Sequence, residues 1–323
     1  MQKLEERFPE WSDLCNHVFS KISDKLPENH HKKFKSWFMK REQIGYRFDY
    51  RMILRCYKIW VDLNDNLDHF VVISGREGAG KSTFSFQIAS WIIPWFTENN
   101  IVYTAAEYLK KLDKKSKKFL KSMEDGSAMP RVDSLIMDEG TELLSTETQK
   151  ITNRILSKSF FVQRALRFLV IINIPNFFFL DSVVRNHRVK TLIDVNSRGL
   201  YTCYTGKAIK LIAKYGMKDK NISGVTVPNG TFFQGRFRKD FPLNLDYDMY
   251  NKAKIDGIDK LLSQMREDIS QIKFFPVAKV AKEMSMSNEK LINMIKSEKI
   301  KGKQIGGKWY ITKKAYDRLT AIE

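Results

Sequence analysis

The run Gly75-Arg76-Glu77-Gly78-Ala79-Gly80-Lys81-Ser82 constrains this chain more than any other stretch, because it satisfies G-x-x-x-x-G-K-[ST] in full. The apolar run Phe70-Val71-Val72-Ile73-Ser74 precedes it and reads as a buried strand, and Thr83 to Phe96 reads as a helix behind it. Strand, glycine loop and helix together predict a phosphate cradle. Glycines let backbone N–H groups converge on an anion, and the helix N-terminus adds a partial positive charge. The expected cradle residues are Gly75, Arg76, Glu77, Gly78, Ala79, Gly80, Lys81, Ser82 and Thr83. Lys81 would reach the β- and γ-phosphates and Ser82 would hold Mg²⁺, so the expected ligands are ATP and Mg²⁺.

A cradle of this kind needs an acid at a strand end to position the metal. The run Ser134-Leu135-Ile136-Met137-Asp138-Glu139 supplies two, 57 residues after Lys81. Asp138 is the expected metal partner. Glu139 points to the other side of the strand and is placed to polarise the attacking water. The alternative is a helix cap for the segment from Thr141 onward. A third apolar run, Phe168 to Ile172, ends in Asn173, whose amide can hydrogen-bond the γ-phosphate or the lytic water. A turn-forming Asn before Pro175 is the bland reading. Arg185 and Arg188 are candidates for an arginine finger inserted into a neighbouring subunit, with Arg164 and Arg167 competing for that role.

From about residue 51 to 245, strands and helices alternate as in an α/β domain with a mainly parallel sheet. Strands are expected at 70–74, 101–104, 134–138, 168–173, 189–195 and 200–204, with a late one over Phe232 to Phe241. Residues 1–50 read as helical and aromatic-rich, with Phe8, Trp11, Phe19, Phe34, Trp37, Phe38 and Tyr46. Packing against the core is the favoured reading of these rings, and a docking surface for a protein partner is the alternative. Residues 246–272 read as a helical connector, and 273–323 as a separate small domain.

Net charge is +19, which favours a polyanionic partner, nucleic acid first and an acidic membrane surface second. The excess is uneven. Residues 273–323 carry twelve Lys/Arg against five Asp/Glu, and residues 105–121 carry seven Lys against two acids. No apolar run approaches a bilayer span, so no membrane insertion is expected. The start Met1-Gln2-Lys3-Leu4-Glu5-Glu6 lacks the apolar core of a signal peptide, which predicts a cytoplasmic protein, in the host cytoplasm if viral. Three cysteines and five histidines show no metal-ligand spacing.

The loop from Ile73 to Ser82, the strand from Leu135 to Glu139, and the stretch from Arg167 to Asn173 resemble the additional-strand class of P-loop NTPases. Within it they are similar to FtsK/HerA-type DNA motors and their Zot-like relatives. The resemblance covers about residues 65–205 and implies ATP hydrolysis and ring assembly, the expected state being a homo-oligomer, a hexameric ring. FtsK/HerA proteins usually carry Gln where this chain has Asn173. Asn there, followed by Pro175 and Leu180-Asp181, is more like an AAA+ ATPase.

Residues 274–319 resemble a winged helix-turn-helix domain of the excisionase/MerR type. Val277, Val280, Ala281 and Met284 give the first helix its apolar face, and Ser285-Met286-Ser287 is the turn. A second helix, Asn288 to Lys299, turns Leu291, Ile292 and Ile295 inward and Asn288, Lys290, Asn293 and Lys296 outward toward a major groove. Ile300 to Ile311 forms a glycine-turned wing bearing Lys301, Lys303 and Lys308. The expected function is a DNA-stimulated ATPase on double-stranded DNA, a motor for translocation, packaging or segregation. An AAA+-like switch in replication initiation or transposition, and a nucleotide-sensing transcription regulator, are the alternatives.

Overall fold

The computed structural model describes residues 8, 10–45, 47–125, 132–138, 159, 166–271, 274–305 and 307–320. The chain divides into two compact units, Met1–Lys254 and Ile255–Glu323. The first is an α/β unit whose sheet, among the described residues, has seven strands in the order β2-β3-β4-β1-β5-β6-β7. These are β1 (His69–Gly75), β2 (Ile101–Val102), β3 (Asp133–Met137), β4 (Phe168–Ile174), β5 (Thr191–Ser197), β6 (Leu200–Thr205) and β7 (Phe232–Arg236). Neighbours from β2 to β5 are parallel, and β6 and β7 add antiparallel to that edge. The sheet is therefore mainly parallel, as the alternation of elements implies.

Strand β4 lies between β1 and β3, pairing Ile73 with Asn173 and Met137 with Ile172. That register brings Gly75, Asp138 and Asn173 to one carboxyl edge. Alternate side chains leave the sheet on opposite faces, and both faces are covered. Val71, Ile73, Ile171 and Ile193 join one cluster with the helices α1 (Trp11–Ser20), α2 (Glu28–Met39), α3 (Tyr50–Asn64) and α4 (Lys81–Ile92). Phe70, Val72, Val170, Ile172 and Leu192 join another with α5 (Ala105–Glu124), α6 (Ser182–His187) and α7 (Lys207–Tyr215). Double coverage is why β1 and β4 read as unbroken apolar runs.

The N-terminal aromatics belong to the first cluster. Phe34, Trp37 and Phe38 are at most 2 % exposed, and the rings of Trp37 and Phe38 stand 5.6 and 5.4 Å from that of Trp91 on α4. Arg41 seals this junction, donating to the carbonyl oxygens of Trp37, Trp91 and Ile92 at the end of α4. A cation suits that helix terminus, although burial lowers its pKa to about 9. Core packing is thus the role of these rings, which corrects the partner-docking alternative; Tyr46 lies outside the described residues.

Several boundaries differ from the sequence reading: β2 is Ile101–Val102 rather than 101–104, and β5 is Thr191–Ser197 rather than 189–195. The helix after the glycine loop stops at Ile92 rather than Phe96, because Pro94 disfavours helical backbone at Ile93, which is extended. The late strand ends at Arg236, after which Phe237 makes only an isolated bridge with Phe48.

The second unit carries a three-stranded sheet, β8 (Phe274–Pro276), β10 (Lys308–Thr312) and β9 (Gly302–Ile305) in spatial order, with α9 (Val277–Glu283), α10 (Asn288–Lys296) and α11 (Lys313–Thr320). Its core is Val277, Val280, Ala281, Leu291, Ile295, Ile311 and Ala315. Among the described residues no helix is long and apolar enough to cross a membrane.

Candidate functional site

Two glycines shape the loop between β1 and α4 for steric reasons. A Cβ at Gly75 would stand 2.6 Å from the Val195 carbonyl oxygen, so β1 and β5 could not approach as they do. Gly80, immediately before α4, has φ +93°, a region that side chains disfavour. Arg76 and Glu77 are exposed and Ala79 is buried. Lys81 folds back along the loop, its Nζ donating to the carbonyl oxygens of Gly75 (2.8 Å) and Arg76 (2.9 Å). Those acceptors are neutral; an anion in the loop offers the same ammonium stronger, charge-assisted bonds.

The structure brings Ser82, Asp138 and Asn173 together. Ser82 Oγ donates to Asp138 Oδ1 at 2.7 Å. Asn173 Nδ2 donates to the same oxygen at 2.9 Å and to Ser85 Oγ at 3.0 Å. A third donor is one the sequence reading missed. Tyr250, on the long helix α8 (Tyr247–Gln271), donates its hydroxyl to Asp138 Oδ2 at 2.9 Å. Asp138 is fully buried beneath these groups. Glu139 lies outside the described residues, as does Arg164.

A cleft of about 600 Å³ runs over this cluster, lined by Gly78, Lys81, Ser82, Thr83, Asp138, Asn173, Arg198, Phe241, Tyr250 and Lys254 among others. That volume suits a nucleotide-sized ligand. Arg198 was also missed: it sits in the turn between β5 and β6, where nothing in the local pattern marks it as facing Gly80. The donor set suits a hard cation, a hydroxyl and a carboxylate. Among the described residues no three His, Cys, Asp or Glu converge. One further observation fits a ligand here. Among the described residues Asn173 Oδ1 is buried with no donor, on a side chain that lines the cleft.

The candidate finger arginines are elsewhere and otherwise engaged. Arg185 is 5 % exposed and donates through Nη1 to the carbonyl oxygens of Phe178 and Leu180, both at 3.0 Å. Arg188 is 6 % exposed and pairs with Asp68, itself buried at the opposite, amino-terminal end of β1. A finger must project from the surface, so neither residue fits that role, which corrects the expectation. Arg167 donates to Asn66 Oδ1 at 2.9 Å.

Burial alone would push the Asp68 carboxyl up, but Arg188 and then Lys190 hold it below the usual carboxylate range. A depressed carboxylate pKa contributes stability above the unfolded value near 3.9, and that stability is lost as pH falls through the folded value. Arg188→Ala leaves a buried, partly compensated charge and is expected to cost about 3–5 kcal/mol. Denaturant unfolding from pH 7 down to pH 3 checks this: the gap from wild type should shrink on the acid side. A variant as stable as wild type but dead in ATP turnover would restore the finger role.

In the second unit, Asn288, Lys290, Asn293 and Lys296 are exposed on α10, opposite the buried Leu291 and Ile295. Ser287 caps this helix, accepting from the Lys290 amide at 3.2 Å. The helix ends at Lys296 rather than Lys299. Lys301, Lys303 and Lys308 are exposed along and beside the β9–β10 hairpin, which closes at Gly307 with φ +77°. No protein-family model matches this sequence, and a search of curated proteins finds no match.

Proposed function

We propose that this chain is an ATP-hydrolysing, DNA-binding protein, with ATP and Mg²⁺ held in the first unit and duplex DNA contacted by the second. The observation that carries the reading is the Ser82–Asp138 hydrogen bond of 2.7 Å beside Lys81 and Asn173, made between residues 56 apart in sequence. The strand order supports it, since β4 stands between the glycine-loop strand and the acid strand, the feature that defines the additional-strand class. In this reading the loop amides and Lys81 bind the phosphates, and Ser82 and Asp138 hold Mg²⁺. The metal, when bound, neutralises phosphate charge and stabilises the transferred phosphoryl group. Asn173 Oδ1 accepts from the attacking water, and Glu139 takes its proton.

The finer reading is a homo-oligomeric, ring-forming duplex motor. The AAA+-like switch remains the second reading, favoured by Asn173 bonding directly to Asp138. The test is ATP turnover with and without duplex DNA, combined with mass measurement in ATP. A motor turns over faster on duplex, moves directionally and gains mass; a switch turns over without directional movement. Glu139→Gln should bind ATP normally while turnover falls about 10²- to 10⁴-fold, the usual worth of a positioned base. Turnover by the Gln variant at the wild-type rate would remove Glu139 from the chemistry.

A further inference from the structure

The first two turns of α8 present Tyr247, Tyr250, Asn251 and Lys254 to the cleft, a spacing of i, i+3, i+4 and i+7 that puts them on one helix face. Among these, Tyr250 is held most firmly. It is 6 % exposed, and its ring stands 5.0 Å from Phe86 and 5.4 Å from Phe241. Its neighbours Tyr247 and Met249 are 56 % and 58 % exposed, while the Asp246 amide donates to Glu98 Oε1 and the Tyr247 ring stands 5.2 Å from Phe241. Burial, and then the charge of Asp138, push the phenol far above its ordinary range.

Ser82 and Asn173 both donate to Asp138 Oδ1, while Tyr250 alone among the described residues donates to Oδ2 at hydrogen-bond distance. A cation held through Ser82 keeps several of its waters, and Mg²⁺ gives them up reluctantly. Those waters need an acceptor, and the remaining oxygen of Asp138 is the one the Tyr250 hydroxyl takes.

Resting on the nucleotide reading above, we propose that Tyr250 is a latch: its hydroxyl holds the start of α8 on Asp138 and is displaced when Mg²⁺ and nucleotide enter. The hydroxyl and the waters compete for acceptor sites on one buried carboxylate oxygen. Metal binding is then weakened by the strength of the latch, and α8 reports whether the cleft is loaded.

The experiment uses the full chain, wild type and Tyr250→Phe, with a fluorescent N-methylanthraniloyl ADP and titrated MgCl₂. Tyr250→Phe keeps the ring and removes only the competing donor. A hydrogen bond to a charged group is worth enough that the Mg²⁺ concentration for half-maximal binding should drop about tenfold or more. Limited trypsin digestion gives a second readout. Cleavage after Lys252 and Lys254 should be slow in metal-free wild type, and faster both with Mg²⁺·ADP and in Tyr250→Phe. An unchanged or raised Mg²⁺ requirement in the variant overturns the latch, and so does cleavage insensitive to Mg²⁺·ADP. Wild-type chain that binds no ADP with or without metal overturns the nucleotide reading itself, so the two failures are distinguishable.

Discussion

Lys81→Ala is expected to weaken ATP binding by roughly 30-fold to several thousand-fold and to stop hydrolysis altogether. The affinity range corresponds to about 2–5 kcal/mol for truncating one member of a desolvated, hydrogen-bonded charge pair. The ammonium now spends its donors on the Gly75 and Arg76 carbonyl oxygens at 2.8 and 2.9 Å, so it is already fixed at the mouth of the loop. Moving it onto phosphate oxygens needs only a change of side-chain torsions. Catalysis suffers more than binding, since charge on the transferred phosphoryl oxygens grows toward the transition state and a preorganised cation is worth most there. The fold should survive. Lys81 is the first residue of α4 and is not buried, and alanine is the best helix former. Isothermal titration with ATP and Mg²⁺ measures the loss, and a circular-dichroism melt that matches wild type shows it is local. Affinity within a factor of three of wild type would mean the loop is not the phosphate site.

Much of the first unit is legible in the sequence, and the reason is burial on both sheet faces. Strands β1 and β4 are built on continuous apolar runs because helices cover them above and below, so no alternation hides them. The glycine loop is legible because its glycines and Lys81 are contiguous in sequence. Side chains that meet through the fold leave no such trace. Tyr250 reaches Asp138 across 112 residues, from a helix that reads as a connector. Arg188 reads as a finger because it follows a strand end, whereas its partner Asp68 lies 120 residues upstream and removes it from the surface. Position along the chain carries charge and spacing but not exposure. That is why the loop, Asp138 and Asn173 are found together as read, and the arginines are not.

Deleting residues 271–323 is expected to leave ATP binding intact and to make duplex binding weaker, less salt-sensitive and indifferent to sequence. The loop residues, Asp138, Asn173 and Tyr250 all precede the cut, and the removed segment belongs to the unit that has its own core. The segment takes away twelve Lys/Arg against five Asp/Glu, net +7 of the +19. Not all of these face one partner, however. Lys301, Lys303 and Lys308 share the exposed hairpin region, and three phosphate contacts imply a slope of log K against log salt shallower by about 3. The helix contributes differently. Asn293→Ala should change which sequences are preferred, because an amide can pair with a base edge, whereas Lys308→Ala should weaken all sequences alike. Residual affinity would come from the first unit, where α5 exposes Lys110, Lys114, Lys117, Lys118 and Lys121 along its outer side. Fluorescence anisotropy on two unrelated duplexes, across 50 to 300 mM salt, separates these contributions. A truncated chain with unchanged affinity and slope would make the second unit a protein-interaction module, and the basic side of α5 the principal nucleic-acid contact.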